Sequence, residues 1–459
     1  MSDLIIWVGE NQALWATLFA VAALLFMITA ARIHAFPALI VAALFAALAA
    51  GMAPAEALSS IKSGMGGTLG GIAVVIGLGA MFGVLVEASG GVGSLAEWIT
   101  QKAGPKYAPR LMGVVGVIVA IPVFFDVALI ILIPLIVNLA KRAKRAPLAF
   151  GLPLLAGLAT AHAFVPPTPG PIAVAEQLGA DLGWVMLFGL IAGIPAMIVG
   201  GPLFARFAEK RGWLETDENM AVVTLDENTD GHDSAFNPRL AQLALVIILL
   251  PLFLIILGTI IKSLSAPELL TTVFGFIGAP IIALLISCAI AALVFRPKTA
   301  AETQARREAL NRCLEPVGVV LLVTGAGGAF KQVLVDSGAG KALAESTLAL
   351  GLVPVSAGFA LALLIRIAQG SATASMITAA GLTYPIAAAA GLSAPELALV
   401  AVAIAAGATA MSHVNDSGFW LVNRYFGQTT VQTLRTWTVS ATLVGFTGFA
   451  VAALLTLLV

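Results

Sequence analysis

From residue 12 to residue 458 the chain passes through one apolar stretch after another, most of them about 20 residues long, with short polar connections between them. A backbone in hydrocarbon must satisfy its own hydrogen bonds, so runs of this length are helices. The strands of a membrane barrel would instead alternate over about ten residues. Hydropathy predicts about twelve segments, near 12–31, 35–52, 66–88, 111–138, 147–165, 183–206, 240–262, 270–295, 315–336, 352–390, 395–412 and 434–458. Only 10% of residues are charged and 60% are hydrophobic, whereas soluble domains carry about a quarter charged residues. The expectation is an all-α polytopic membrane protein in a lipid bilayer, with no soluble domain of useful size.

Several function classes drop out at once. A formal net charge of zero offers nothing to nucleic acid. Of the two cysteines, Cys288 sits in an apolar run and Cys313 beside basic residues, so neither a disulfide framework nor a cysteine metal site is expected. The first apolar run follows Asp3 and Glu10 without a Lys or Arg, which is not the basic start of a signal peptide. Gly338-Ala339-Gly340-Lys341-Ala342 does not match the phosphate-cradling glycine loop, so no ATP motor is expected. Neither His-Glu-x-x-His nor Gly-x-Gly-Asp occurs, so the chain reads as no enzyme and needs no metal or cofactor. A channel stays open as an alternative, since sequence does not separate it from a transporter.

Two polar breaks organise the rest. Thr160-Ala161-His162 runs into Val165-Pro166-Pro167-Thr168-Pro169-Gly170-Pro171, and an alanine-rich run ends in Ser412-His413-Val414-Asn415-Asp416-Ser417-Gly418. At an offset of 249, Ala159-Thr160-Ala161 falls on Ala408-Thr409-Ala410, Val165 on Val414 and Thr168 on Ser417. At 248, Gly77 to Phe82 falls on Gly325 to Phe330, and Ser89-Gly90 on Ser337-Gly338. Polar backbone freed inside a bilayer must be buried in protein or line a wet cavity, so two such breaks point to one central site. A proline-rich external loop is the bland alternative for the first.

Basic clusters at Lys141 to Arg145, at Arg206 to Arg211 and at Arg296 to Arg312 belong on the cytoplasmic side. Keeping Lys102, Lys106, Arg110 and Arg32 there too requires the 111–138 segment to dip in and return. The 352–390 segment, interrupted at Ala368-Gln369-Gly370-Ser371, is its equivalent hairpin. One re-entrant hairpin and one broken helix per half give two inverted repeats, the layout of transporters that bind substrate near the midplane. The expected divisions are a first helix over 1–31, a first transport repeat over 32–206, a hydrophilic cytoplasmic linker over 207–239, a linking helix over 240–269 and a second repeat over 270–459.

Candidate residues follow from their setting. Asp126 stands among apolar positions, where a carboxylate is either neutral or paired, and it reads as a proton carrier or as a tie between helices. His162, His413 and Asp416 are further proton-coupling candidates, with helix packing the plainer role for a lone histidine. Arg366, the one Arg or Lys between Lys341 and Arg424, either holds a carboxylate or reaches out to the interface. Gln369, Ser371, Thr373, Asn415, Ser417 and Thr168 would bind hydroxyl groups or an ion. Lys331 and Asp336, near one end of their span, read as a local ion pair.

The segments Ser63-Gly64-Met65-Gly66-Gly67-Thr68-Leu69-Gly70, Pro166 to Pro171, Gly327 to Gly338, Arg366 with Gly370-Ser371-Ala372-Thr373, and Ser412 to Asp416 with Gly418-Phe419-Trp420 together resemble the gluconate permease family. The resemblance implies a bacterial inner-membrane symporter for a proton, or else sodium, with gluconate or a related small hydroxy carboxylate. It also allows a homodimer. Members of that family often carry histidine where this chain has Thr168, glutamate for Asp126, leucine for Gln369 and proline for Ser417. Any proton relay would then fall to His162, His413, Asp126 and Asp416, and the amide of Gln369 opens the substrate to D-serine or another small carboxylate.

Overall fold

A computed structural model describes residues 12–214, 237–264, 267–338 and 353–459. Most of the expected hydrophilic linker, from 215 to 236, and Lys341 lie outside the described residues. Among those described, every regular element is helical. In chain order they are α1 (Gln12–Thr29), α2 (Ala35–Ala49), α3 (Pro54–Glu87), α4 (Gly91–Ala120), α5 (Phe125–Ala143), α6 (Leu148–Phe164), α7 (Pro169–Leu178), α8 (Leu182–Ile198) and α9 (Phe204–Lys210). Then follow α10 (Pro238–Ser263), α11 (Glu268–Ile277), α12 (Pro280–Val294), α13 (Ala300–Arg312), α14 (Leu314–Asp336), α15 (Pro354–Gln369), α16 (Ala372–Ala389), α17 (Ala394–Thr409), α18 (Ser417–Tyr425), α19 (Thr430–Thr433) and α20 (Val439–Leu455).

Six spans among the described residues are long and apolar enough to cross a bilayer, or seven if the bent pair α11 and α12 counts as one, and five further apolar helices are shorter. The protein is thus all-α and polytopic. The count differs from about twelve because several apolar segments are interrupted rather than continuous. The 111–138 segment breaks between Ala120 and Phe125, where Pro122 lacks the N–H a helix needs, and its arms α4 and α5 pack against each other. Gly370 makes the corresponding break between α15 and α16, whose arms also pack together. Shifted by 248, Phe125 falls at 373 and Leu148 at 396, so hairpin and broken helix recur at matching places in both halves.

The innermost layer is made by the two broken helices. Nearly every residue of α6 is buried, and so is the stretch from Ala398 to Thr409 of α17. Both are rich in alanine and glycine, and small side chains let neighbouring backbones approach closely where lipid supplies no hydrophobic drive between helices. Helix α6 packs on α4 and α8, and α17 on α15 and α20. The proline run after α6 is buried as well, which removes the reading of it as an external loop. Outer helices such as α10 turn large apolar side chains outward, Val246 and Phe253 among them, as a lipid-facing surface requires.

Candidate functional site

Each break leaves a helix N-terminus in the interior. Helices α5, α7, α16 and α18 begin at Phe125, Pro169, Ala372 and Ser417, and all four starts line one cavity of about 480 Å³. That volume falls in the range of small-molecule sites, about 300–1,000 Å³. The free N–H groups and aligned peptide dipoles of a helix start favour negative charge, and here four starts share one space.

Against this positive background the charged side chains are few. Arg366, near the C-terminus of α15, donates from Nη1 to the Gly370 carbonyl and from Nη2 to Asp416 Oδ2. The side chains are 4% and 13% exposed, so the arginine does not reach to the interface and the pair is shielded from solvent. Asp416 is the N-cap of α18: its Oδ1 accepts from the Gly418 N–H at 3.1 Å, and its Oδ2 also accepts from Ser412 Oγ. Ser412 in turn accepts from Trp437 Nε1 at 2.7 Å. The Asp416 carboxylate thus gathers the guanidinium, a backbone N–H and a hydroxyl around it.

Nine of the eleven residues expected from sequence line the cavity: Asp126, His162, Arg366, Gln369, Ser371, Thr373, Asn415, Asp416 and Ser417. Asp126 lies in the first turn of α5 and its side chain lines the cavity instead of being enclosed in a continuous span. It is close enough to Asp416, and His162 close enough to Asp416 and Arg366, for their charges to interact. Ser371 caps α16, with Oγ accepting from the Ala374 N–H at 3.3 Å, and its hydroxyl hydrogen is left for another acceptor. Three buried polar atoms on these side chains have no partner in the protein: Arg366 Nε, Gln369 Oε1 and His162 Nδ1. Unsatisfied buried donors and acceptors cost about 1–3 kcal/mol each, and a cavity is where a ligand or water would meet them.

Two expected residues stand apart. Thr168 is buried, and its hydroxyl donates to the Val165 carbonyl at 2.9 Å, outside the cavity lining. His413 lies 2.9 Å through Nε2 from the Ile367 carbonyl, which also accepts from Asn415 Nδ2 at 2.9 Å. A carbonyl only accepts, so Nε2 carries the hydrogen and the ring ties the second break to the α15 arm. Lys331 and Asp336 do not form the expected ion pair. Five residues apart on a helix they point to different faces: Lys331 Nζ lies 3.9 Å from the Tyr384 ring centroid, while Asp336 accepts from Ser60 at 2.5 Å and Gln332 at 2.8 Å.

Sequence reasoning passed over the aromatic wall of the site. Phe125 and Trp437 lie 5.7 Å apart, and Phe124 faces His162 at 6.4 Å between ring centroids. Carrying the hairpin correspondence one residue further would have found Phe124, the mate of Ala372. Nothing in the sequence marks Trp437 among the seven tryptophans.

The GntP family permease profile matches residues 12–458. The chain belongs to that family. It is therefore a transporter of the permease class rather than an enzyme, and a multi-pass membrane protein. Among relatives of this GntP permease, the low-affinity gluconate transporter of Escherichia coli (strain K12) is 39% identical over 427 residues, covering 93% of this chain and 94% of the relative. The gluconate permease of Bacillus subtilis (strain 168) is 34% identical over 445 residues, covering 95% and 98%. Among solved structures, Neisseria gonorrhoeae MtrF, from a class of antimetabolite efflux pumps, superposes with a TM-score of 0.66 at 14% identity, covering 95% and 97%. That likeness is one of fold.

Proposed function

We propose that this GntP permease imports gluconate or a closely related small hydroxy carboxylate by proton symport across the bacterial inner membrane. The observation that carries the reading is a buried arginine, among four helix N-termini, whose counter-ion is a carboxylate within the same cavity. While Asp416 is ionised it neutralises Arg366 and fills the place a substrate carboxylate would take. Protonation of Asp416 leaves the guanidinium uncompensated, and an entering carboxylate restores the balance. Proton and anion therefore bind together. Loss of the proton on the other side re-forms the Arg366–Asp416 pair and expels the substrate.

The neighbours serve the same cycle. Asp126 and His162 line the same cavity as Asp416 and would pass its proton on through that space. Gln369 Oε1 accepts from a substrate hydroxyl, and Ser371, Thr373, Asn415 and Ser417 supply the remaining hydroxyl contacts. The names of the relatives support gluconate as the first substrate to try, and the amide of Gln369 favours including D-serine and other hydroxy acids.

The test is uptake of labelled gluconate into proteoliposomes under an imposed proton gradient, with the other acids as competitors. Accumulation above the external concentration that collapses with a protonophore supports the symporter and separates it from a channel. Uptake that follows a sodium gradient and ignores the proton gradient would overturn proton coupling. Binding of another carboxylate with no uptake of gluconate would replace the substrate and keep the cavity.

A further inference from the structure

A second pocket, of only about 20 Å³, lies between the α4–α5 tip, the proline run and the glycine face of α3. Its tip and loop residues are the repeat mates of residues that line the large cavity. Ile121, Pro122 and Val123 shifted by 248 become Gln369, Gly370 and Ser371, and Pro167 and Thr168 shifted by 249 become Asp416 and Ser417. The second-half tip thus faces the cavity of about 480 Å³ that both halves line, while the matching first-half tip faces a nearly closed space. The lining side chains differ as well: Arg366, Gln369, Ser371, Asn415 and Asp416 face the large cavity, whereas among the described residues Thr168 is the one polar side chain lining the small pocket, and its hydroxyl is spent on its own loop.

Phe124 and Pro169 line both pockets, so they form the partition between them. On its far side the closed tip rests directly on α3. A Cβ added at Gly83 would lie 2.0 Å from the Pro122 carbonyl oxygen, and one at Gly79 would lie 3.2 Å from that of Pro167. The contact at Gly83 admits no side chain, and that at Gly79 would take one only if Pro167 gives way slightly.

We propose that the small pocket is the closed exit gate of the transport path, and that substrate leaves the large cavity past Phe124 when the α4–α5 tip lifts off Gly83 of α3. The inference rests on the transporter reading but not on the identity of the substrate. An apolar contact suits a gate, because opening it breaks no hydrogen bond or ion pair in the dry interior. The second-half tip lines the binding cavity, and the first-half tip opens and shuts.

The test is one-sided labelling of single cysteines by a membrane-impermeant maleimide, in oriented vesicles and in a protein lacking Cys288 and Cys313. Ser371→Cys should label from one face only, and Val123→Cys, which is buried, should be protected. Adding Gly83→Ala should raise labelling of Val123→Cys about tenfold from the opposite face and lower that of Ser371→Cys, because the overpacked tip no longer seats. If Gly83→Ala does not fold, Gly79→Ala, which presses on Pro167 of the adjoining proline run, overpacks the same closed pocket more gently and should likewise raise labelling of Val123→Cys from the opposite face. Labelling of Val123→Cys from the same face as Ser371→Cys, or no change of face in any of these variants, would overturn the gate. The readout needs no substrate, so it stands whether or not gluconate is transported.

Discussion

At the residue scale the chemistry rests on how Arg366 is neutralised. Removing one partner of a buried ion pair leaves an uncompensated charge, at a cost of about 3–5 kcal/mol. Asp416→Asn should therefore lower the melting temperature of the ligand-free protein. A bound carboxylate then supplies the missing negative charge, so gluconate should raise the melting temperature more in Asp416→Asn than in the unmodified protein. Equal ligand shifts in the two would argue against competition between substrate and Asp416 for the arginine. Gln369 permits a finer test. Gln369→Leu keeps roughly the same volume and removes one acceptor, worth about 0.5–1.5 kcal/mol. Competition assays should show up to about tenfold weaker binding of the acid whose hydroxyl meets Oε1, with little change for acids lacking that hydroxyl.

At the scale of elements, the hairpin tips decide where those side chains sit. Gly370 adopts φ of +80°, and a Cβ there would lie 2.2 Å from the Asn415 carbonyl oxygen, so both conformation and space exclude any other residue. Its carbonyl also receives the Arg366 guanidinium. Gly370→Ala should displace the tip from the second break and abolish uptake. A lowered melting temperature would accompany this loss, by way of about 1 kcal/mol or more of strain. Retained uptake with unchanged stability would mean that the tip and the Asn415 loop do not work as one unit. The His413 and Asn415 bonds to Ile367 hold the same two elements together from the other side, so His413→Ala should weaken substrate affinity through position without altering the dependence of uptake on pH. A shifted pH profile would instead return His413 to the proton path.

For the whole molecule, the coupling scheme sets the sign of the pH effect. Substrate enters with a protonated Asp416, so acid on the entry side and alkali on the exit side should speed uptake, and the reversed gradient should drive efflux. Asp126→Asn combined with Asp416→Asn should leave downhill exchange but no proton-driven accumulation, and accumulation that survives both changes would exclude these carboxylates from coupling. Much of this architecture is legible in the amino-acid sequence alone. Apolar run length dictates membrane helices, because lipid satisfies no backbone group, and the offset of about 248 residues announces two halves with matching breaks. Proline, glycine and isolated charge inside apolar runs pick out nine residues that do meet in one cavity, since each is costly there unless a site receives it. What sequence does not decide is which donor each acceptor finds. Thr168 and His413 look like their neighbours in the chain, yet turn to the Val165 and Ile367 carbonyls, while Lys331 and Asp336 take separate partners on separate faces. Nor does the sequence distinguish the open pocket from its closed mate, because run length and offset treat the halves alike. That difference arises where the α4–α5 tip meets Gly83 and the proline run meets Gly79 of α3, packing contacts between segments far apart in the chain, and such contacts are decided only by the tertiary fold.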